Sequence, residues 1–265
     1  MFMRHNPGWR ALIAIVSLLM LCAAWPARAN SNLLVWPIDP VIEHDERATA
    51  LWIENRGREP VHLQVRVFTW NQPDGENAYA TQSQVVSSPP MFQVAAGQRQ
   101  LIRLTRTGEQ AVGVQHAYRV VLDEIPRPRT AEDNGGAPPT LQFQMRYSIP
   151  LFLYGKGLWN KERHDRKRDP ATAAQPALRW HTELRDGRPF LVVHNTGPIH
   201  ARLTDVRLDS PAKSIKVSEG MLGYVLPGSF MRWPLAEGAA TQGQLTAKVN
   251  GSREPITIER RSSAP

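Results

Sequence analysis

Apolar and polar residues alternate along much of this chain, as they do in β-strands that bury one face. In the segment 61–67, the odd-numbered positions are valine or leucine and the even-numbered ones are histidine, glutamine and arginine. No stretch after residue 29 has a sustained period of 3.6 residues, so the pattern predicts strands and no long helices. Before residue 157 it predicts seven strands, at 33–41, 48–54, 61–70, 84–87, 101–105, 117–125 and 141–154.

The second half of the chain also consists of short β-rich runs. These runs predict further strands at 189–195, 199–208, 221–226, 230–235, 245–249 and 255–259. Short strands at this spacing, separated by proline, glycine and asparagine, are typical of a β-sandwich. We therefore expect an all-β protein.

Two patterns occur once in each half. Segments 51–57 and 191–197 are each a hydrophobic strand followed by Asn-x-Gly, and segments 94–97 and 225–228 each place a glycine before a strand. Asparagine and glycine tolerate positive φ, so both are turn signals. Their occurrence in the same order predicts two copies of one sandwich module.

The first 29 residues have the pattern of a secretory signal peptide. Arg4 and Arg10 precede an apolar run at 11–24, which is too short for a transmembrane helix, and Ala27-Arg28-Ala29 fits a cleavage site. We expect cleavage after Ala29; a buried N-terminal helix is the alternative. Cleavage would remove Cys22, the only cysteine of the chain. The mature protein would then contain no disulfide, zinc–thiolate site or catalytic cysteine.

The charge balance is basic but diffuse. The formal net charge of +8 falls to about +5 without the signal segment, which is too dispersed to indicate a nucleic-acid partner. The densest run of basic residues lies at 159–170. We interpret it as a mobile, solvated junction between the two modules.

Enzyme signatures are missing from the sequence. It contains no nucleophile elbow, zinc-protease motif, phosphate-binding glycine loop or dinucleotide-binding fingerprint. A turn separates His194 from His200, so we interpret both as surface histidines and expect no metal or cofactor. Asp123 and Glu124 are adjacent in a strand and point to opposite faces, so they cannot act on one substrate atom.

Several spaced motifs of the first half carry a family resemblance. In order, they are Asn55-x-Gly57, Ser88-Pro89-Pro90, Gly97 followed by 101–104, Tyr118-Arg119 with 122–126, and 141–143 through Leu151-Phe152. This succession resembles the PapD-like periplasmic chaperones of chaperone–usher pilus assembly. The resemblance implies two immunoglobulin-like domains joined at an angle. We place the first at 30–157 and the second at 158–265.

The resemblance also implies a mechanism, in which the last strand of the first domain is lent to a pilus subunit that lacks a strand. The residues fit it, because apolar or aromatic side chains recur at every second position of 141–149. An ordinary half-buried strand is the alternative. The predicted donor side chains are those of Leu141, Phe143, Met145, Tyr147 and Ile149.

The chain departs from the family at two positions. The family pattern places an arginine on the first strand and a lysine at the end of the donor strand, and both hold the subunit's terminal carboxylate. The aligned residues here are Asp39 and Pro150, neither of which can bind a carboxylate, and the loss of both cations resembles the archaic branch of the family. Our replacement candidate is Arg119, which faces outward if its neighbours face the core; Arg146 is the second candidate.

A further pair of residues matches family positions with a structural role. The resemblance implies an internal ion pair between Arg103 and Glu124, with Tyr154 at the third position of that network.

The expected partners are pilus or spore-coat-U-like subunits and an outer-membrane usher, without stable membrane insertion. An exported two-module adhesin or carbohydrate binder is the alternative, with sugar-stacking faces supplied by tryptophans 36, 52, 70, 159, 180 and 233.

Overall fold

The computed structural model describes residues 32–126, 144–210, 214–236 and 243–261. The regular structure of these residues is β-strand apart from two 3-10 turns, Pro73–Gly75 and Pro170–Thr172, which confirms the predicted all-β class. The strands are β1 (Leu33–Trp36), β2 (Val41–Ile42), β3 (Ala48–Asn55), β4 (Val61–Asn71), β5 (Ala78–Thr81), β6 (Val85–Ser88), β7 (Met91–Val94), β8 (Arg99–Arg106), β9 (Gln115–Glu124), β10 (Arg146–Tyr154), β11 (Leu178–Arg185), β12 (Arg188–Asn195), β13 (Ala201–Asp209), β14 (Ser214–Lys216), β15 (Met221–Val225), β16 (Ser229–Pro234), β17 (Gln244–Val249) and β18 (Ile256–Arg260). No helix among the described residues is long and apolar enough to cross a membrane.

The first ten strands form two sheets. One has the order β1-β3-β8-β6, and the other has the order β2-β10-β9-β4-β5 with β7 also paired to β4. The predicted alternation of β4 is present, because Val61, Leu63 and Val65 are buried while the residues between them are more exposed. These side chains meet Leu51 and Ile102 of the facing sheet in one hydrophobic core. The first half is therefore a sandwich of two sheets.

The strands from β11 onward form one sheet of order β14-β13-β17-β18-β11-β12-β16, with β15 paired to β13. Residues from both ends of this order, such as Leu208 and Met231, belong to a single core. The sheet therefore closes around that core and forms the second sandwich-like unit.

The two halves repeat one turn in atomic detail. Asn55 and Asn195 are both fully buried at the end of a strand. The Nδ2 group of Asn55 donates to the carbonyls of Glu59 (2.7 Å) and Val94 (3.0 Å). That of Asn195 donates in the same way to Ile199 (2.7 Å) and Val225 (3.1 Å). In both turns the Oδ1 atom accepts from the glycine two residues later.

The two units share a third apolar cluster. Trp70, Phe152 and Tyr154 of the first unit pack against residues of the second unit that include Ile199 and Tyr224. The junction therefore has a core of its own.

Gln72 adds polar contacts across this junction. Its side chain donates to the carbonyl of Tyr224 (2.9 Å) and accepts from the N–H of Leu226 (2.8 Å), and all of these groups are buried. Such paired bonds constrain the orientation of the units more than apolar contact alone, because hydrogen bonds are directional.

The interpretation of the basic run as mobile and solvated is wrong. Residues 159–168, named the strap below, lie along the acidic segment 39–46 of the first unit. Arg168 pairs with Glu43, Arg166 with Asp45 (2.6 Å) and Arg163 with Glu46 (2.5 Å). Glu43 is only 6% exposed, so its charge depends on these arginines for compensation.

Candidate functional site

Strand β10 is bordered unequally on its two sides. It pairs antiparallel with β9 along its whole length, from Arg146 to Tyr154. On the other side, β2 pairs with it only at Phe152 and Leu153. Among the described residues, the segment Arg146–Leu151 therefore forms a free sheet edge.

The hydrogen bonds at either end of this edge fix which backbone groups face outward. The carbonyl of Met145 accepts from Glu124 on the β9 side (3.1 Å), whereas the N–H of Phe152 donates to Pro40 on the other side (3.2 Å). By the alternation of an antiparallel pair, the backbone groups of Arg146, Ser148 and Pro150 point outward. Proline is tolerated at this position because its missing N–H would not have pointed at β9.

The structure describes three of the five predicted donor side chains. Met145 is 44% exposed, and Tyr147 packs at the border of the first core. Ile149 is 7% exposed and belongs to the core of its own unit. Leu141 and Phe143 lie outside the described residues. The side chains available to a partner are therefore at the start of β10, and Ile149 already has a structural role.

Arg119 lies on the face that the alternation predicts. Its neighbours Tyr118 and Val120 are buried in the first core, so Arg119 projects from the opposite face of the sheet. Its guanidinium lies 3.7 Å from the ring centroid of Trp70 and 5.4 Å from that of Tyr224. Burial lowers the pKa of this guanidinium. It forms no ion pair with a described residue, and its Nε atom is buried without a hydrogen-bond partner there.

Arg146, the second candidate, already has a partner. Its Nε atom lies 2.5 Å from the Asp123 carboxylate, which also pairs with Arg66 at 2.6 Å. The two arginines lower the pKa of Asp123, against the opposing effect of desolvation. Arg119 is thus the better candidate for binding an external anion.

The position of Asp39 is also occupied by an ion pair. Its carboxylate pairs with Lys161 of the strap, at the junction of the two units. Where the family pattern has a cationic residue on the first strand, this chain has Asp39, and Asp39 instead binds the cationic side chain of Lys161.

His200 corrects the prediction of surface histidines. It is buried at the junction, where its ring stacks on Phe152 at a centroid distance of 3.5 Å. Gln115 Oε1 accepts from the backbone N–H of His200 (2.7 Å) and lies 3.1 Å from its Nδ1 atom. Burial, and then the positive charges of Lys161 and Arg202, lower the pKa of His200 to about 3.

The implied ion pair between Arg103 and Glu124 is not formed. Arg103 is exposed on the outer face of the first sheet, since its neighbours Ile102 and Leu104 point into the core. Glu124 lies on the other sheet beside the backbone of Met145. Tyr154 is buried in the junction cluster, and burial raises the pKa of its hydroxyl.

Sequence reasoning missed the aromatic surroundings of Arg119. Trp70 ends a predicted strand and Tyr224 lies inside another, about 150 residues further along the chain, so no local pattern joins them. The one signal was the aromatic side chain of Trp70 at a polar-face position of β4.

Known proteins resemble this chain in sequence and in structure. Residues 40–158 match the family model described as the pili and flagellar-assembly chaperone, PapD N-terminal domain. No curated protein sequence matches the chain.

Among solved structures, one match is to the complex of the chaperone CsuC with the tip adhesion subunit CsuE, from archaic chaperone–usher Csu pili of Acinetobacter baumannii. It has 30% identity, a TM-score of 0.69, and covers 87% of this chain and 100% of the other. The Escherichia coli chaperone DraB matches with 20% identity and a TM-score of 0.55, over 86% of this chain and 98% of the other. The Salmonella enterica SafA pilin–SafB chaperone complex matches with 18% identity and a TM-score of 0.60, over 88% and 98%.

Proposed function

The chain belongs to the PapD-like chaperones of chaperone–usher pilus assembly, and we propose that it captures pilus subunits by lending them the free edge of β10. The observation that carries this proposal is the free edge itself. Backbone groups of Arg146, Ser148 and Pro150 point outward there, with no strand of the described residues beside them. An unpaired edge of this kind is a template for a further strand.

The start of β10 supplies side chains suited to a subunit groove. Met145 is exposed and Tyr147 is half-buried, on the same face of the strand. Each large apolar side chain that becomes buried contributes about 1.5–3 kcal/mol, whereas each added backbone hydrogen bond contributes about 1 kcal/mol net. Apolar insertion is therefore the larger source of affinity, and backbone pairing sets the register. Leu141 and Phe143 are proposed to extend the same row of side chains.

Arg119 is proposed to hold the terminal carboxylate of the subunit. It lies opposite Pro150, where the free edge ends, and the rings of Trp70 and Tyr224 confine its guanidinium. A guanidinium with an unpartnered, buried Nε atom is poised for a bidentate bond to a carboxylate. The aromatic rings restrict its motion, so less rotamer freedom is lost when the anion binds.

Chaperones of the chaperone–usher class are periplasmic, and the family is non-enzymatic. We propose that this chain is exported, that its signal segment is removed after Ala29, and that an outer-membrane usher receives the captured subunit. N-terminal sequencing of the periplasmic protein should begin at Asn30. A product that retains residues 1–29 would contradict the proposed processing.

Co-expression with candidate subunits tests the proposed function. The probes are the small exported proteins encoded beside the chaperone gene, each expressed with and without it. We expect one of them to be degraded when alone and to co-purify from the periplasm in a one-to-one complex with the chaperone. Recovery of the chaperone alone in every co-expression would contradict the proposal.

The burial of three of the six tryptophans argues against the carbohydrate-binding alternative. Trp70, Trp159 and Trp180 are buried in cores. Trp36 and Trp52 lie on the outer face of the first sheet but stack on one another, at a centroid distance of 6.2 Å. A sugar-stacking platform needs a ring whose face is open to the ligand.

A further inference from the structure

The outer face of the second unit carries a pair of histidines that is joined to the first unit through aromatic contacts. His181 on β11 and His194 on β12 stack at a centroid distance of 5.2 Å, and His194 also stacks on Phe230 of β16 at 5.1 Å. Phe230 in turn contacts the buried Gly75 so closely that a Cβ atom there would lie 2.8 Å from the ring. Gly75 ends the 3-10 turn Pro73–Gly75 of the first unit, named the junction turn below. A continuous row of contacts therefore leads from the histidine pair to this turn.

A second row of contacts, made of polar groups, connects the same two places. His181 Nε2 lies 3.9 Å from one carboxylate oxygen of Glu183, and the other oxygen accepts from Arg232 Nε at 2.6 Å. The Nη1 group of Arg232 donates to the backbone carbonyl of Asp74 in the junction turn. Glu183 thus lies between a histidine and the arginine that holds the turn.

The contact of His194 with Arg261 requires a neutral histidine. Arg261 Nη1 lies 3.0 Å from His194 Nε2, and its backbone N–H donates to the carbonyl of Trp180 at 2.7 Å, which fixes its position beside the sheet. Arginine has only donors, so Nε2 must be the unprotonated nitrogen that accepts. A proton on Nε2 would remove this hydrogen bond and place two cations in contact.

The charged groups that face the pair are mostly cationic. From the elements packed around it, they are Arg179 and Glu183 of β11, Arg232 of β16, Glu259 and Arg260 of β18, Arg261 after that strand, and Asp74 of the junction turn. Glu183 is already paired with Arg232, and Glu259 with Arg179 at 2.9 Å. Burial and the charge of Arg261 lower the pKa of both histidines from the ordinary 6.5, against the opposing charge of Glu183.

We propose that the histidine pair is a pH-dependent switch that controls the contact between the two units at the junction turn. With both rings neutral, the stack and the Glu183–Arg232 pair hold the turn. In acid, the two charged rings repel each other and Arg261, so the stacked row cannot keep its spacing. Charged His181 also competes for Glu183, and Arg232 loses the partner that orients it toward the turn.

The release is local, because a neighbouring contact does not titrate. Gln72 directly precedes the junction turn, and its amide holds the backbone of Tyr224 and Leu226 at any of these pH values. The units therefore stay joined at Gln72 while the turn after it separates from β16.

The first measurement follows the amide of Gly75 and the imidazole signals of His181 and His194 by NMR, from pH 7.5 to 4.5. His200 does not titrate in this range, because its pKa is about 3. We expect the Gly75 signal to shift with the same midpoint as the pair, below pH 6.5. A Gly75 signal that is constant, or that shifts with a midpoint unrelated to the two histidines, would overturn the proposal.

Variants that cannot be protonated should abolish the transition. His194→Phe keeps an aromatic ring against Phe230, and His181→Asn removes the second titrating group; the double variant should leave the Gly75 signal constant. His194→Gln replaces His194→Phe if the latter lowers the thermal midpoint. His62→Gln is the matched control, a half-buried histidine at the far end of β4, and should keep the wild-type transition. A transition that persists without both histidines would overturn the proposal.

A distance measurement distinguishes release of the turn from a change of chemical shift alone. Glu76 and Arg188 border a groove of about 560 Å³ between the junction turn and the hairpin of β11 and β12. Residues 30–265 contain no cysteine, so spin labels can be attached at Glu76→Cys and Arg188→Cys. We expect the mean distance between the labels to increase, and its distribution to broaden, between pH 7.5 and 4.5, and to stay constant without the two histidines. The same distribution at both pH values in the otherwise wild-type chain would overturn the proposal.

Discussion

Pro150 on β10 lies directly opposite Arg119 on β9. The unpaired edge of β10 ends close to this point, because β2 pairs with the strand from Phe152 onward. A chain that pairs with the edge would therefore reach its end at Pro150, one strand away from Arg119. The register of two strands thus places the end of a strand-pairing edge one strand away from a cationic residue.

Met145 and Ile149 share a face of β10 but should respond differently to substitution. Met145→Glu should abolish subunit capture and leave the thermal midpoint of the free protein within about 2 °C, because Met145 is exposed. Ile149→Ala should instead lower the free energy of unfolding by about 2–4 kcal/mol, since it opens a cavity in the first core. Capture assays and chemical denaturation of both variants distinguish the two roles. A large loss of stability in Met145→Glu would place Met145 in the core and contradict the donor assignment.

Arg119→Ala should weaken subunit binding by about ten- to hundredfold, the loss expected for a charge-assisted bond in a partly buried site. Arg119→Lys should restore only part of it, because lysine lacks the two-pronged geometry. Arg103→Ala is the matched control, an exposed arginine on the other sheet. Titration calorimetry measures all three. If Arg119→Ala binds a free-acid subunit as tightly as wild type, the anchor lies elsewhere.

The strap should contribute to stability through Glu43. Among the described residues, Arg168→Ala leaves this buried carboxylate with only the longer ion pair to Arg166 (3.3 Å), and it should cost about 1–3 kcal/mol in the free energy of unfolding. Arg179→Ala breaks an exposed pair with Glu259 and should cost less than about 1 kcal/mol. Urea denaturation of the two variants makes the comparison. Equal, small losses would mean that the strap is held mainly by Trp159 and Leu158.

His200 should make stability depend on pH. Its pKa is about 3 in the folded protein and about 6.5 in the unfolded chain, so the unfolded chain binds the extra proton between these values. Stability should therefore rise with pH from 3 to 6.5, and the His200 contribution at pH 5 should be about 2 kcal/mol lower than at pH 7.5. Denaturation curves at both pH values, with His200→Gln for comparison, isolate this contribution. If the free energy of unfolding of His200→Gln differs between the two pH values as much as that of wild type, the pH dependence arises from other titratable groups.

Local patterns of the sequence were sufficient for most of the strands and for the repeated turn, but they did not predict β5, β7, β11 and β14. The Asn-x-Gly motifs predicted turns after β3 and β12, and both are present. The hydrogen bonds from these asparagines to Val94 and Val225 could not be predicted from local sequence, because those partners lie 39 and 30 residues away.

The predictions that proved wrong share one cause, because each concerns a residue whose partners lie far away in the chain. The strap was interpreted as solvated because its acidic partners, such as Glu43, lie more than 115 residues earlier in the chain. His200 was interpreted as a surface residue because only the packing of two units buries it. Alternation predicts that Ile149 shares a face with Tyr147, but the depth of the core along that face depends on the opposite sheet.

Hydrogen exchange at the edge of β10 tests the central claim most directly. In the free protein, the amides of Arg146 and Ser148 face outward and should exchange fast, whereas the amide of Tyr147 faces β9 and should exchange slowly. In the complex with a co-purifying subunit, we expect the exchange of Arg146 and Ser148 to slow by at least about tenfold and that of Tyr147 to change little. A complex in which the amides of Arg146 and Ser148 exchange as fast as in the free protein would contradict strand donation by β10.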